Sequence, residues 1–427
     1  MVVTRGRLVR NVFIVSGGNF LEMYDFMVYG YYAAALSRAY FPAGDAYASI
    51  MVGLAAFGAG FLMRPVGAVV LGAVIDRFGR RVGLIITIAL MAVGTATIAF
   101  TPPYLRIGLA APLIVLLGRL LQGFSAGVEL GGVSVYLAEI APPQHRGFFV
   151  AWQSASQQAA VMFAALLGVL LNARLSPAQM ADWGWRVPFA VGCAAIPFLL
   201  LMRSRLQETP AFLGRARHPG LGELTAQVAA NWPVVLRGAM LATMTTVGFY
   251  MITAYTPTFG QLVLHLSARA SLTVTLCVGA ANFVLLPAAG ALSDRVGRKP
   301  LLVAATTLAI LTAYPAMQWL AAAPSFARLL GVDLWIALLY ASYNGAMVVH
   351  LTEIMPPQAR TAGFSLAYSL ATAIFGGFTP MICTWLIHVT GNRAMPGLWL
   401  SLAAALALAA AAVRAPGERA RGEALAT

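Results

Sequence analysis

The sequence has little charge and almost no cysteine. Only 10% of its 427 residues are Asp, Glu, Lys or Arg, whereas ordinary soluble domains contain about 25%. The three cysteines, Cys193, Cys277 and Cys383, each lie within an apolar run, so they are interpreted as small hydrophobic side chains. The composition therefore argues against a soluble domain, a disulfide scaffold and a zinc site.

Several functional motifs are also missing. The sequence shows no His-Glu-x-x-His, Gly-x-Ser-x-Gly, paired-aspartate or P-loop pattern, so no enzyme of the membrane interior, no metal and no cofactor are expected. The first apolar run is too long for a cleavable signal and lacks a small-residue cleavage site. A transporter-like nutrient sensor would carry a long cytoplasmic extension, and only residues 415–427 follow the last apolar run.

Long apolar runs are what the sequence has instead. Each is close to the ~20 residues that cross a ~30 Å hydrocarbon core. They predict an all-α polytopic membrane protein with twelve transmembrane helices, at residues 13–36, 48–74, 83–101, 108–139, 148–172, 184–203, 236–260, 270–293, 300–321, 331–353, 362–388 and 397–414.

The net charge of +14 is distributed unevenly between the two sides of the predicted membrane. If both termini and the even-numbered connections share one side, that side carries nineteen Arg and Lys residues and the other side seven. The positive-inside rule then places both termini in the cytoplasm. Membrane topology and attraction to anionic lipid account for the excess charge, so no nucleic-acid partner is expected.

Two motifs occur twice in the same order. The segment GAVIDRFGRR (72–81) returns as GALSDRVGRK (290–299), and LAEIAPPQHRG (137–147) returns as LTEIMPPQART (351–361), at offsets of 218 and 214 residues. This duplication predicts two pseudo-symmetric six-helix bundles, residues 1–203 and 236–414, joined by a cytoplasmic linker at 204–235 and followed by a cytoplasmic tail at 415–427. Repeated bundles with a site between them are typical of alternating-access transporters.

The duplicated Gly-x-x-x-Asp-Arg-x-Gly-Arg-Arg loop resembles the signature of the major facilitator superfamily. The segments GNFLEMYDFMVYG and GRLLQGFSAGVELGG resemble its metabolite–proton symporter branch, and the run from GRLLQG through WQSASQQ is similar to bacterial citrate–proton and tricarballylate–proton symporters. The resemblance implies a functional monomer in the bacterial inner membrane that takes up a tricarboxylate, above all citrate, together with protons. Tricarballylate, another carboxylate such as 2-oxoglutarate, and passive uniport remain the alternatives.

Ionisable residues inside the apolar runs are candidates for handling substrate and protons, because a charge at the bilayer centre costs about 2.5–3.5 kcal/mol. Glu22 and Asp25 share one helix face, and Arg119, Gln122 and Glu129 follow another at helical steps. In sugar–proton relatives an acid on the first helix pairs with an arginine on the fourth. That resemblance makes Asp25 and Arg119 the expected proton-coupled pair.

Other buried charges have two interpretations each. Glu22 is either a proton carrier or a structural hydrogen-bonding group near a kink in the first helix. Glu129, among three glycines, is either a second proton carrier or a packing hydrogen-bonding group. Arg64 either binds substrate or snorkels towards the gate.

The interior residue types predict the substrate class. The predicted membrane interior contains no lysine, two arginines and many hydroxyls and amides, which suits a small polyanion because a guanidinium pairs bidentately with a carboxylate. For the polar WQSASQQ segment, hydrogen bonding between the fifth and eighth helices is the alternative. The expected substrate-binding residues are Arg119, Asn19, Arg64, Gln122, Gln153, Gln157, Tyr250, Tyr255 and Asn344.

The duplicated motifs at the cytoplasmic ends predict a gate. An acid there can cap the start of a neighbouring helix and pair with a basic residue across the seam between the bundles. The alternative is a set of solvated charges that serve topology alone. The residues concerned are Asp76, Arg80, Glu139 and Arg146 in the first half, and Asp294, Arg298, Glu353 and Arg360 in the second.

Overall fold

Helices account for nearly all of the computed structural model, which describes residues 19–78, 80–127, 129–204, 221–355 and 360–412. Within these ranges no residue is in a β-strand. We number the membrane helices α1 to α12 in chain order. The first six are α1 (Asn19–Tyr31 and Ala33–Tyr40), α2 (Ala46–Phe78), α3 (Arg80–Phe100), α4 (Ala110–Ala126 and Glu129–Ile140), α5 (Arg146–Arg174) and α6 (Arg186–Ser204).

The second six helices follow a short helix, Leu221–Ala230, in the predicted linker. They are α7 (Trp232–Tyr250, Met251–Tyr255 and Thr256–Leu262), α8 (Ala268–Val296), α9 (Arg298–Ala322), α10 (Phe326–Ile354), α11 (Arg360–Ala371, Thr372–Gly376 and Thr379–Thr390) and α12 (Met395–Ala412). Where both are described, predicted and observed helix ends differ by at most five residues, the largest difference being residue 331 against Phe326.

Two of these helices contain a π-helical turn, Met251–Tyr255 in α7 and Thr372–Gly376 in α11. In both, a proline, Pro257 or Pro380, is the second residue of the segment that follows. Proline has no backbone N–H and its ring collides with the carbonyl four residues earlier, so the preceding turn widens. Two helices of the second half therefore contain a widened turn for the same local chemical reason.

The length and composition of the helices fit a membrane. Nine helices in the described ranges are long and apolar enough to cross one, and two shorter apolar helices, Ile85–Phe100 and Arg186–Pro197, accompany them. Large apolar side chains face outwards on several helices, among them Val93, Leu117, Leu170, Val284 and Leu311. Such surfaces are unfavourable in water but suit lipid. The chain is a multi-pass membrane protein.

Helix packing repeats between the halves. In the first half α4 contacts α2 and α3, α3 contacts α6, and α1 contacts α5. The second half has the matching contacts of α10 with α8 and α9, α9 with α12, and α7 with α11. The predicted pair of pseudo-symmetric six-helix bundles is confirmed.

The halves meet at both ends of the bundle. At one end, which carries Asp294 and which we call the basic end, α5 crosses α8 so closely that a Cβ on Gly290 would collide with the backbone of Gly147. At the opposite end the Tyr47 ring of α2 stacks on the His388 ring of α11, with centroids 3.7 Å apart. Polar side chains from both halves are buried between these two contact regions.

Candidate substrate and proton site

Asp25 of α1 belongs to a group of buried, hydrogen-bonded side chains contributed by three helices. The Thr95 hydroxyl of α3 donates a hydrogen bond to Asp25 Oδ2. Gln122 Nε2 of α4 lies 3.4 Å from the same oxygen and 3.2 Å from Thr95 Oγ1. Within the described part of the chain Asp25 Oδ1 has no hydrogen-bond partner, and the side chain is 1% exposed. The carboxylate is therefore held by neutral donors, with room to accept a proton on Oδ1.

Arg119 of α4 lies on the other side of Gln122. Its Nη1 donates to Gln122 Oε1 at 2.8 Å, and its Nη2 donates to the Phe57 carbonyl at 3.2 Å. The guanidinium carbon is 4.6 Å from the ring centroids of both Phe26 and Tyr29. Desolvated cation–π contacts contribute about 2 kcal/mol or more, so aromatic rings partly replace the water that this cation lacks.

The expected direct pair of Asp25 and Arg119 needs correction. No ion pair within 4.0 Å joins these two described side chains, because Gln122 occupies the space between them. Gln122 follows Arg119 by three residues on the same helix face, so its amide reaches both groups. The acid and the cation are coupled through one amide that accepts from Arg119 and donates to Asp25.

A second buried cation lies next to the first. Arg64 Nη2 of α2 pairs with Glu22 Oε1 of α1 at 2.9 Å, and both side chains are buried. The Arg64 guanidinium lies 4.9 Å from the Phe26 ring centroid and 4.8 Å from that of Phe61. Arg64 is only 2% exposed, so it does not snorkel to the surface. Its partner Glu22 is also buried, so the pair lies in the membrane interior and not at the gate.

The two guanidiniums share the Phe26 ring, and the Nε–H group of each lacks a hydrogen-bond partner. Each therefore offers an unused donor edge of the kind that binds a carboxylate. Two adjacent cations with free donors are chemically suited to a polyanion.

Other buried amides lie on α5, α8 and α10. The Nε2 atoms of Gln153 and Gln157 on α5, and both polar side-chain atoms of Asn344 on α10, have no hydrogen-bond partner. Among the described side chains, the amides of Gln158 on α5 and Asn282 on α8 are likewise unpaired, so these two residues do not form the hydrogen bond between the fifth and eighth helices that was the alternative for this segment. Unbonded buried amides are costly, and these groups leave donors and acceptors available inside the bundle.

The two predicted tyrosines have different surroundings. The Tyr250 ring of α7 packs edge-on against Phe61 at 5.0 Å and Phe57 at 6.1 Å, next to the two cations. The Tyr255 hydroxyl instead accepts a hydrogen bond from Thr384 of α11 at 3.2 Å. The side chains of Asn19 and Glu129 lie outside the described part of the structure.

At the basic end, Asp294 of α8 caps α5 of the other half. Its carboxylate accepts from the backbone N–H groups of Gly147 at 2.8 Å and Phe148 at 3.0 Å. Arg298 pairs with Asp294 at 2.7 Å and with Glu353 at 3.3 Å. Gly297, with φ of 91°, makes the turn that brings Arg298 back to the acid. The cap across the seam is the arrangement expected from the sequence, whereas the basic partner of Asp294 belongs to its own half and not to the other one.

The remaining gate candidates behave differently. Glu353 pairs with Arg298 rather than with its predicted partner Arg360, because the turn at Gly297 brings Arg298 closer. Glu139 and Arg146 are exposed and form no ion pair with each other among the described side chains. The side chains of Asp76 and Arg80 lie outside the described part.

Two buried polar residues were missed by the sequence analysis. Thr95 lies in the apolar run 83–101, where a single hydroxyl gives no signal. Asp333 of α10 is 4% exposed and accepts a hydrogen bond from Thr256 at 2.7 Å. The predicted span began at residue 331, which put Asp333 at the membrane surface. The observed helix begins at Phe326, and that placement would have drawn attention to the acid.

Comparison with known proteins agrees with this architecture. A family model described as "Sugar (and other) transporter" matches residues 11–219 and 217–412. A citrate-proton symporter of Salmonella typhi is 56% identical over 399 residues, which cover 93% of this chain and 92% of the relative. A citrate-proton symporter of Klebsiella pneumoniae is 55% identical over 410 residues, which cover 96% and 92%.

A solved structure has the same fold. It is that of a proton–xylose symporter of the major facilitator superfamily bound to 6-bromo-6-deoxy-D-glucose, with a TM-score of 0.75 and 18% sequence identity over 96% of this chain and 95% of that one. This chain therefore belongs to the sugar (and other) transporter family, and it is a transport protein rather than an enzyme.

Proposed function

We propose that this chain takes up citrate together with protons across the bacterial inner membrane, with the basic end and both termini in the cytoplasm. The observation that carries the proposal is the pair of buried guanidiniums around Phe26, one of them joined to Asp25 through Gln122. The high identity to two proteins named citrate-proton symporter supports the choice of substrate.

Citrate matches the chemistry of the site. It carries three carboxylates and one hydroxyl, so two carboxylates can take the free edges of Arg64 and Arg119. The third carboxylate and the hydroxyl need neutral donors, and we assign this role to the unpaired amides of Gln153, Gln157 and Asn344. Asn19 of α1 and Tyr250 of α7 are further proposed contacts with citrate.

Proton coupling follows from the amide relay. While Asp25 is ionised, its negative charge compensates the positive charge of Arg119 through Gln122. A proton on Asp25 removes that negative charge, and an anionic carboxylate then binds Arg119 more favourably. The converse also holds, since bound citrate replaces the anion and favours protonation of Asp25. Proton and citrate therefore load together, and Glu22 acts on Arg64 in the same way.

Alternating access requires the ends to open in turn. At the basic end, Asp294 holds the start of α5 across the seam. At the opposite end, Tyr47 and His388 hold α2 against α11. Breaking one contact while the other holds exposes the central site to one side of the membrane.

The test uses purified protein in proteoliposomes with labelled citrate. Parent protein should accumulate citrate when the outside is acidic, and a protonophore should abolish accumulation. Asp25→Asn resembles the protonated acid, so it should exchange citrate across the membrane at a comparable rate yet fail to accumulate it. The exposed acid Asp182 offers a matched control, because Asp182→Asn should accumulate citrate like the parent.

Each alternative has its own outcome. Uptake that ignores the proton gradient would identify a passive carboxylate uniporter. Stronger competition by tricarballylate, which lacks the hydroxyl of citrate, or by 2-oxoglutarate, which has two carboxylates, would change the proposed substrate. Asp25→Asn with full proton-driven accumulation would remove Asp25 from the coupling mechanism.

A further inference from the structure

Asp333 is a buried acid that the mechanism above does not use. It lies on α10 in the second half of the chain, about 10 Å along the axis from Phe326, at 1.5 Å per residue. The side chain is 4% exposed, and its Oδ2 receives a hydrogen bond from Thr256 Oγ1 at 2.7 Å. A buried carboxylate held by one hydroxyl is poorly compensated when ionised.

The charged and titratable groups around Asp333 are engaged elsewhere or solvent-exposed. Arg328, on the same helix, donates to the Trp319 carbonyl at 2.8 Å and lies over the Trp319 ring. No ion pair within 4.0 Å joins Asp333 to any described cation. Three further groups lie on helices that pack against α10. Tyr255 of α7 is hydrogen-bonded to Thr384, and Tyr314 of α9 is hydrogen-bonded to Asn392. Arg269 of α8 is exposed. Tyr340, further along α10, packs against Phe249.

Thr256 connects this acid to the bend of α7. It follows directly after the π-turn Met251–Tyr255, and its Oγ1 lies 3.3 Å from the Met251 carbonyl as well as 2.7 Å from Asp333. A hydroxyl has one hydrogen to donate. With Asp333 ionised, Thr256 gives that hydrogen to the carboxylate. With Asp333 protonated, the acid donates to Thr256 Oγ1, and Thr256 is free to donate to the Met251 carbonyl within the π-turn.

We propose that Asp333 is a second proton-binding site, whose proton stabilises the bent form of α7 through Thr256 and the Met251 carbonyl. The inference rests on the proposed symport and deepens it. Tyr250 directly precedes the π-turn and packs against Phe57 and Phe61, so a change in the bend moves a side chain at the proposed substrate site. One proton is bound when α7 is bent and released when it straightens, separately from the proton on Asp25.

The experiment measures the number of protons carried per citrate in proteoliposomes, from the proton gradient that just balances a fixed citrate gradient. Asp333→Asn, whose amide can still donate to Thr256, should transport one proton fewer per citrate than the parent. An unchanged ratio in a transporting Asp333→Asn protein would overturn the inference. Parent protein without proton coupling would instead defeat the proposed function, so the two failures are distinguishable.

A pair of threonine variants keeps the test decisive if Asp333→Asn does not fold. Thr256→Val removes the donor to the ionised acid, so the acid should keep its proton to higher pH, and the pH of half-maximal uptake should move upwards. Thr256→Ser keeps the hydroxyl and should retain the parent profile. If valine and serine give the same pH profile, Thr256 has only a packing role and the inference is wrong.

Discussion

Replacing Arg119 with Gln is the sharpest test of the polyanion site. A guanidinium has five N–H groups, of which Arg119 donates one to Gln122 and one to Phe57, leaving an edge for a substrate carboxylate. Hydrogen bonds to charged groups contribute about 1.5–3 kcal/mol each. Loss of two such bonds corresponds to about 3–6 kcal/mol, or a rise in the citrate Kd of roughly 10²- to 10⁴-fold. Arg119→Lys keeps the charge and one bond, so its loss should be roughly 10- to 10²-fold.

Citrate binding to the detergent-solubilised variants is measured by isothermal titration, at a pH where the parent binds. The exposed Arg106 provides the charge-matched control, and Arg106→Gln should bind citrate like the parent. Thermal unfolding of each variant shows whether the protein is folded, since Arg119 also holds the Phe57 carbonyl. A folded Arg119→Gln protein with parental citrate affinity would refute the proposed role of this cation.

Two further predictions concern the basic end. Asp294→Asn weakens a helix cap of the kind that contributes about 0.5–2 kcal/mol, so it should shift the equilibrium between the closed and open forms of the basic end towards the open form by roughly 2- to 30-fold. Spin labels at the exposed positions Gln144 and Arg295 should then report longer distances. Unchanged distances would count against a gate. Gly290→Ala places a methyl group against the backbone of α5 and should reduce uptake at least tenfold. In the control Gly331→Ala the added methyl group meets no atom within 4 Å, so this variant should behave like the parent. Equal uptake by the two variants would show that the close crossing of α5 and α8 is dispensable.

The fold could be predicted from the sequence because its signals are long and repeated. Twelve apolar runs and two duplicated motifs each involve many residues, so an error of a few positions changes nothing. The π-turns were not predicted, although Pro257 and Pro380 mark their positions. A proline inside a membrane helix kinks it, continues it or widens a turn depending on its neighbours, as the regular helices at Pro197 and Pro287 show.

The site was predictable in its residue types but not in its pairings. Depth along a helix follows from residue number, and depth alone marked Asp25, Arg64 and Arg119 as buried. Which side chains meet depends on how neighbouring helices are rotated, and one sequence does not contain that information. The resemblance to sugar–proton relatives predicted a direct pair of Asp25 and Arg119, but Gln122 lies between them, and the pairing of Arg64 with Glu22 had no signal in the sequence.

The π-turn of α7 also changes how any positional scan of this helix has to be interpreted. An ordinary α-helix separates residues five apart by about 140° around the axis, from 3.6 residues per turn. A π-turn bonds residue i to residue i+5, which brings such residues onto one side. Tyr250 and Tyr255 are five apart across the turn, and both are buried. Cysteine accessibilities measured along α7 should therefore follow one helical phase up to Tyr250 and a shifted phase from Thr256 onwards.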